Sequence, residues 1–182
     1  MAEFFLALVV SIVCGCGARD QVLIGALAAQ QGRRAAVLAV AAGCAMIAAV
    51  FAAWMGAWLA GAIASLTIRQ AMVAALMVAA MVDLARAPQL QLPAEPTDSL
   101  GALALVLLVY QLRDGGRLLA VAIGLLAGAN WPAVAAGGAS GTAIMVTLCW
   151  RAGAALPLPA LQAIRRWGGL GLSLSLSLSL LG

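Results

Sequence analysis

Apolar runs of about 20 residues follow one another along almost the whole chain, and a helix needs a run of that length to cross the hydrocarbon core of a bilayer. Six are readable: Phe4–Gln30, Ala35–Ser65, Ile68–Ala85, Ser99–Leu126, Pro132–Trp150 and Pro159–Leu181. The second is longer than a bilayer requires, which implies tilt or a frayed end. Between the third and fourth, residues 87–98 carry three prolines and two carboxylates, a combination that cannot continue a helix. Elsewhere the breaks are short.

The composition agrees with this pattern. Hydrophobic residues make up 65 % of the chain and charged residues 9 %, whereas soluble domains hold roughly 45–50 % and 25 %. A mean hydropathy of +1.11 leaves too little polar surface to coat a soluble particle. We therefore expect an all-α integral membrane protein whose principal partner is the lipid bilayer. Histidine is absent and the ten basic residues are all arginine. That excludes histidine catalysis, His-ligated zinc and Schiff-base lysine chemistry, and we expect no enzyme. Nor does the net charge of +4 form a nucleic-acid footprint, because the arginines are scattered.

The start, Met1-Ala2-Glu3-Phe4-Phe5, lacks the basic n-region of a secretory signal, so the first run is expected to stay as a membrane helix. Arg33, Arg34, Arg86, Arg151, Arg165 and Arg166 fall in the first, third and fifth connections, against Arg69 alone on the other side. Under the positive-inside rule those connections are cytoplasmic. The expectation is a multi-pass protein of the cell (inner) membrane with both termini extracytoplasmic. Trp58, Trp131, Trp150 and Trp167 lie near run ends, as an interfacial aromatic belt requires.

Cys14, Cys16, Cys44 and Cys149 sit in apolar runs, where thiols behave as small hydrophobes rather than a disulfide framework. The terminal alternation Ser173-Leu174-Ser175-Leu176-Ser177-Leu178-Ser179-Leu180 has the period of a strand. A lone strand cannot satisfy its backbone in lipid, so a helix is expected, its serines bonding back to the preceding turn. Gly124/Gly128 and Gly137/Gly141 are G-x-x-x-G pairs suited to close helix crossings.

Two halves are discernible at an offset near 97. Val37, Ile47, Gly56 and Leu59 recur as Val134, Ile144, Gly153 and Leu156. More telling are two polar clusters inside apolar runs, Gly15-Cys16-Gly17-Ala18-Arg19-Asp20-Gln21 and Gln111-Leu112-Arg113-Asp114-Gly115-Gly116-Arg117. Each interrupts the first span of a three-span half. Residues 1–86 and 99–182 thus read as two three-helix repeats joined by a cytoplasmic linker, 87–98. Three is odd, so the second repeat is inverted in the membrane. Interrupted spans in corresponding positions mark a midplane transporter site. Each charge left alone there costs roughly 2.5–3.5 kcal/mol on insertion scales. Pairing across the halves, Arg19 with Asp114 and Arg113 with Asp20, would offset that cost. Tyr110, beside the second cluster, either lines the pathway or packs.

At these clusters the chain resembles the Gdt-type family of divalent cation/proton exchangers, related to the lysine-exporter superfamily. That family has two three-helix repeats, each bearing Glu-x-Gly-Asp-(Lys/Arg)-(Thr/Ser), usually followed by Gln. In the first cluster Gly15 stands at the glutamate and Ala18 at the aspartate, Gly17, Arg19 and Gln21 match, and Asp20 takes the hydroxyl position. In the second, Gln111 stands at the glutamate, Arg113 at the glycine and Asp114 matches the aspartate, while Gly115 and Gly116 replace the basic and hydroxyl residues. The resemblance implies a cation/proton antiporter of manganese-export type, with Mn2+ or Ca2+ and protons as substrates and no resident cofactor. Asp20, Gln21, Gln111 and Asp114 would line the pathway, with Asp20 and Asp114 as metal ligands. Arg19, Arg113 and Arg117 would be internal counter-ions. The carrier would act as a homodimer or with a paralogue. Two further readings stay open: a non-transporting paralogue serving as partner or scaffold, and an exporter of an anion or amino acid, suggested by the positive pocket.

Overall fold

The computed structural model describes residues 1–30, 33–86, 99–155 and 158–179, and every regular element among them is helical. The linker 87–98 lies outside the described residues. The first apolar run folds as two helices, α1 (Ala2–Gly15) and α2 (Arg19–Gln30), bent by 61° at the break. Gly17 sits at this bend with φ 67°, a left-handed conformation that glycine adopts without a Cβ clash. Two long helices follow, α3 (Ala35–Ala62) and α4 (Leu66–Ala85). The fourth run is also broken, into α5 (Leu100–Leu112) and α6 (Gly115–Ala127). A 3-10 turn at Gly128–Asn130 leads into α7 (Trp131–Ala152), and α8 spans Leu158–Ser179. Ser65 and Ser99 cap α4 and α5, their hydroxyl oxygens accepting from the Ile68 and Ala102 N–H groups.

Several of these helices are long and apolar enough to cross a membrane. They are α3, α4 and the stretch Gly115–Ala152, with a fourth if the bent α1–α2 pair counts as one span. Gly115–Ala152 is not a straight rod. α6 runs in the same direction as α3, with Arg117 bonded to the Ala45 carbonyl, Gly124 against Ala53 and Leu125 against Gly56. α7 runs the opposite way, since residues 57–61 of α3 lie beside 128–131 and Ala49 lies beside Gly138. The chain therefore reverses at Gly128, whose φ is 54°.

Small residues bring the backbones together. A Cβ on Gly56 would lie 2.2 Å from the Val121 carbonyl oxygen, and one on Gly124 would lie 2.5 Å from that of Ala53. α7 also runs parallel to α1, where a Cβ on Gly137 would meet the Phe4 carbonyl at 2.1 Å and one on Gly141 the Leu8 carbonyl at 2.8 Å. Without a solvent-driven hydrophobic force in lipid, such close van der Waals contact holds helices together. The crossings expected at Gly124, Gly137 and Gly141 are present. Gly128 departs from its expected role: a Cβ there meets nothing within 4 Å, and the residue serves the reversal instead.

α3 is the central helix, packed against α5, α6 and α7, with Ala41, Ala45 and Ala53 completely buried. The serine-leucine tail is helical as expected. The Ser173 and Ser177 hydroxyls donate to the Gly169 and Ser173 carbonyls, each at 2.8 Å, which satisfies them inside the helix. All four cysteines are free and buried. One placement needs correcting: Arg165 is not a loop residue but lies well inside α8 and is buried.

Candidate functional site

The break between α1 and α2 faces the break between α5 and α6, and the polar groups of both are buried there. Asp20, in the first turn of α2, and Gln111, in the last turn of α5, are both buried, as are Gln21 and Arg117. The Gln111 side-chain amide donates to Asp20 Oδ2 at 3.1 Å, and the Gln21 amide reaches the same oxygen at 3.5 Å. A carboxylate on this side turns both amide nitrogens toward itself and both carbonyl oxygens away. Gln21 Oε1 and Gln111 Oε1 are consequently buried without a hydrogen-bond partner among the described residues. Leaving such acceptors unpaired costs on the order of 1–3 kcal/mol each. Both glutamines line a cavity of about 20 Å³, shared with Asp20, Asp114, Arg117 and Thr142. That is room for a water molecule or one small ion.

Beside this cavity sits a second polar node. Asp114 caps α6, its Oδ2 accepting from the Gly116 N–H at 3.0 Å, while Asp83 of α4 accepts from the Gly115 N–H at 2.8 Å. Two of the N–H groups left open at the start of α6 are thereby satisfied. Arg165 of α8 ties the node together. Its Nε donates to the Cys14 carbonyl at 2.9 Å, and its Nη2 reaches Asp83 at 3.3 Å and pairs with Asp114. Gly116 allows α6 to close on α1, since a Cβ there would lie 2.8 Å from the Cys14 Cβ.

The expected charge pairing is not what forms. Asp114 pairs with Arg165 rather than Arg19, and Asp20 is held by Gln111 and Gln21 rather than Arg113. The reason is geometric: α8 passes between α1 and α4 and brings a buried guanidinium to the N-terminus of α6. Arg117 donates to the Ala45 carbonyl at 3.3 Å and borders the inner cavity. Arg19 and Arg113 form no ion pair among the described residues and line a second cavity of about 40 Å³, together with Asp20, Asp83, Tyr110 and Asp114. Tyr110 thus borders this cavity.

All seven expected site residues therefore gather around two adjoining cavities. Asp83 and Arg165, which belong to the same node, were not among them. A signal existed, because both are charges inside apolar runs. Asp83, however, lies near the end of its run, and Arg165, beside Arg166, reads as part of the fifth connection. Among the described residues no three His, Cys, Asp or Glu side chains converge as a metal-binding group. The oxygen-bearing side chains Asp20, Gln21 and Gln111 line one cavity together with Arg117. Comparison with known proteins returns no match, whether to a family model, a curated protein or a solved structure.

Proposed function

We propose that the chain is a secondary carrier made of two inverted three-helix halves that cross the bilayer six times, exchanging a cation against protons at the Asp20–Gln111 centre. The meeting of two broken spans at a buried, incompletely satisfied polar centre carries this reading, since carriers bind their ions where broken helices from two repeats face each other. The helix boundaries support it. Moved back by 97 positions, α5 and α6 fall on 3–15 and 18–30, within one residue of α1 and α2 at every bound. α7 falls on 34–55, over α3, and α3 and α7 run antiparallel as inverted counterparts must.

In this reading Asp20 is the proton and cation acceptor, with Gln21 and Gln111 supplying neutral oxygens. Selectivity has moved away from manganese and calcium, the ions that resemblance to the Gdt-type exchangers implies. Calcium takes six to eight hard oxygens, and a dication wants net negative surroundings. Here Asp114 is engaged by Arg165, and Arg117 stands beside Asp20. A small monovalent cation fits the cavity and its charge better. Orientation belongs to the proposal too: Arg33, Arg34, Arg86, Arg151 and Arg166 face the cytoplasm, and both termini lie outside it in the inner membrane. A second reading, a carrier of small anions, is favoured by Arg19 and Arg113, which line the 40 Å³ cavity and form no ion pair among the described residues.

Uptake into liposomes holding the purified chain, under an imposed pH gradient, tests both. Sodium or potassium uptake several-fold above empty liposomes, with manganese near background, is the expected result. Chloride uptake without cation uptake would favour the second reading, and no uptake of any of these ions would reject a carrier.

A further inference from the structure

We propose that small polar solutes reach the buried centre through the groove between α4 and α8, and that Arg165 is the residue that closes this route. Three cavities lie in sequence. The outermost is a groove of about 280 Å³ between the end of α4 and the start of α8, bordered by Leu84, Arg86, Gln162, Arg166 and Trp167. Next comes the 40 Å³ cavity with Arg19, Tyr110 and Arg113, and last the 20 Å³ cavity with Gln21, Gln111 and Arg117. Neighbouring cavities share specific residues. Among the described residues, Arg165 alone borders both the groove and the middle cavity, and Asp20 and Asp114 alone border both the middle and inner cavities.

The groove end of the route carries the features of a membrane interface. Trp167 is exposed and the Arg166 guanidinium lies 5.4 Å from its ring centroid, an arrangement suited to the headgroup level. From there inward, the first barrier is the Arg165 guanidinium. Its three bonds reach α1, α4 and the α5–α6 break, so withdrawing this one side chain both opens the passage and unties three elements. Ion pairs that engage and release in this way are typical of rigid-body gating about an interface. The second barrier, Asp20 and Asp114, is made of the groups to which the carrier reading assigns the ion.

This inference rests on that reading for its purpose, but its test does not require transport. Cys14 borders the inner cavity and is buried, and Cys44 is buried elsewhere, against α5. In the full chain with Cys16 and Cys149 replaced by alanine, modification of both thiols by methyl methanethiosulfonate is followed by mass spectrometry. Arg165→Gln is expected to raise the Cys14 rate at least tenfold and leave that of Cys44 unchanged. Asp83→Asn, which removes one of the two carboxylates holding Arg165, is expected to raise it several-fold and decides the matter if Arg165→Gln does not fold. A Cys14 rate equal to the parent's in a folded variant overturns the proposal, as does an equal rise at Cys44, which marks general loosening. Gated labelling of Cys14 in a chain that moves no ion would reject the carrier and leave the route standing.

Discussion

Gln111 donates its side-chain amide to Asp20 across 91 residues of sequence, joining the last turn of α5 to the first turn of α2. The bond links the α1–α2 break to the α5–α6 break beside the inner cavity, which Gln111 also lines.

Loss of that bond should be measurable. Gln111→Leu is expected to lower stability in detergent by about 1.5–3 kcal/mol, the range of a hydrogen bond to a charged group. In a double-mutant cycle with Asp20→Asn the two losses should not add, because the residues share one interaction. Strict additivity in chemical unfolding would show that the pair is not coupled.

Arg165 should matter far more than its neighbour. Arg165→Met leaves Asp83, Asp114 and the Cys14 carbonyl without their shared donor. Breaking a buried ion pair typically costs about 3–5 kcal/mol. Arg166→Met, an exposed change, should cost at most about 1 kcal/mol. Arg19→Gln should also be mild, since Arg19 forms no ion pair among the described residues and borders a cavity. A larger loss at Arg19 than at Arg165 would reinstate the Arg19–Asp114 pairing read from the sequence.

Glycine crossings make a third set of expectations. Gly137→Ala and Gly56→Ala place a Cβ 2.1 and 2.2 Å from a backbone oxygen that cannot yield without moving a helix. Overpacking of this kind costs about 1–3 kcal/mol. Gly43→Ala, where a Cβ meets nothing within 4 Å, should be neutral or slightly stabilising. Thermal melting of the three variants should separate the first two from the third.

Much of this architecture could be read from the chain. Helix breaks were visible as charged clusters, because charges inside an apolar run are costly enough to mark a special place. The helical tail followed from the need to satisfy every backbone group in lipid. The Gly137/Gly141 crossing followed from small-residue spacing. Charge partners could not be read in the same way. Which arginine meets Asp114 depends on how far α8 slides along α1 and α4, a register set by packing at Gly168 and Gly169, where Cβ atoms would press on Val13 and Leu84. Spacing alone does not encode it. Gly128 shows the same limit: its spacing from Gly124 matches a packing motif, but its positive φ is a property of the turn.

Proton movement driven by a cation gradient is the measurement closest to the carrier account. In liposomes holding the purified chain and a pH-sensitive dye, an inward sodium or potassium gradient is expected to raise lumenal pH as protons leave. Asp20→Asn, correctly folded, should bring that response down to the rate of empty liposomes. An undiminished response in Asp20→Asn, or no response of the parent chain to either cation, would contradict the account.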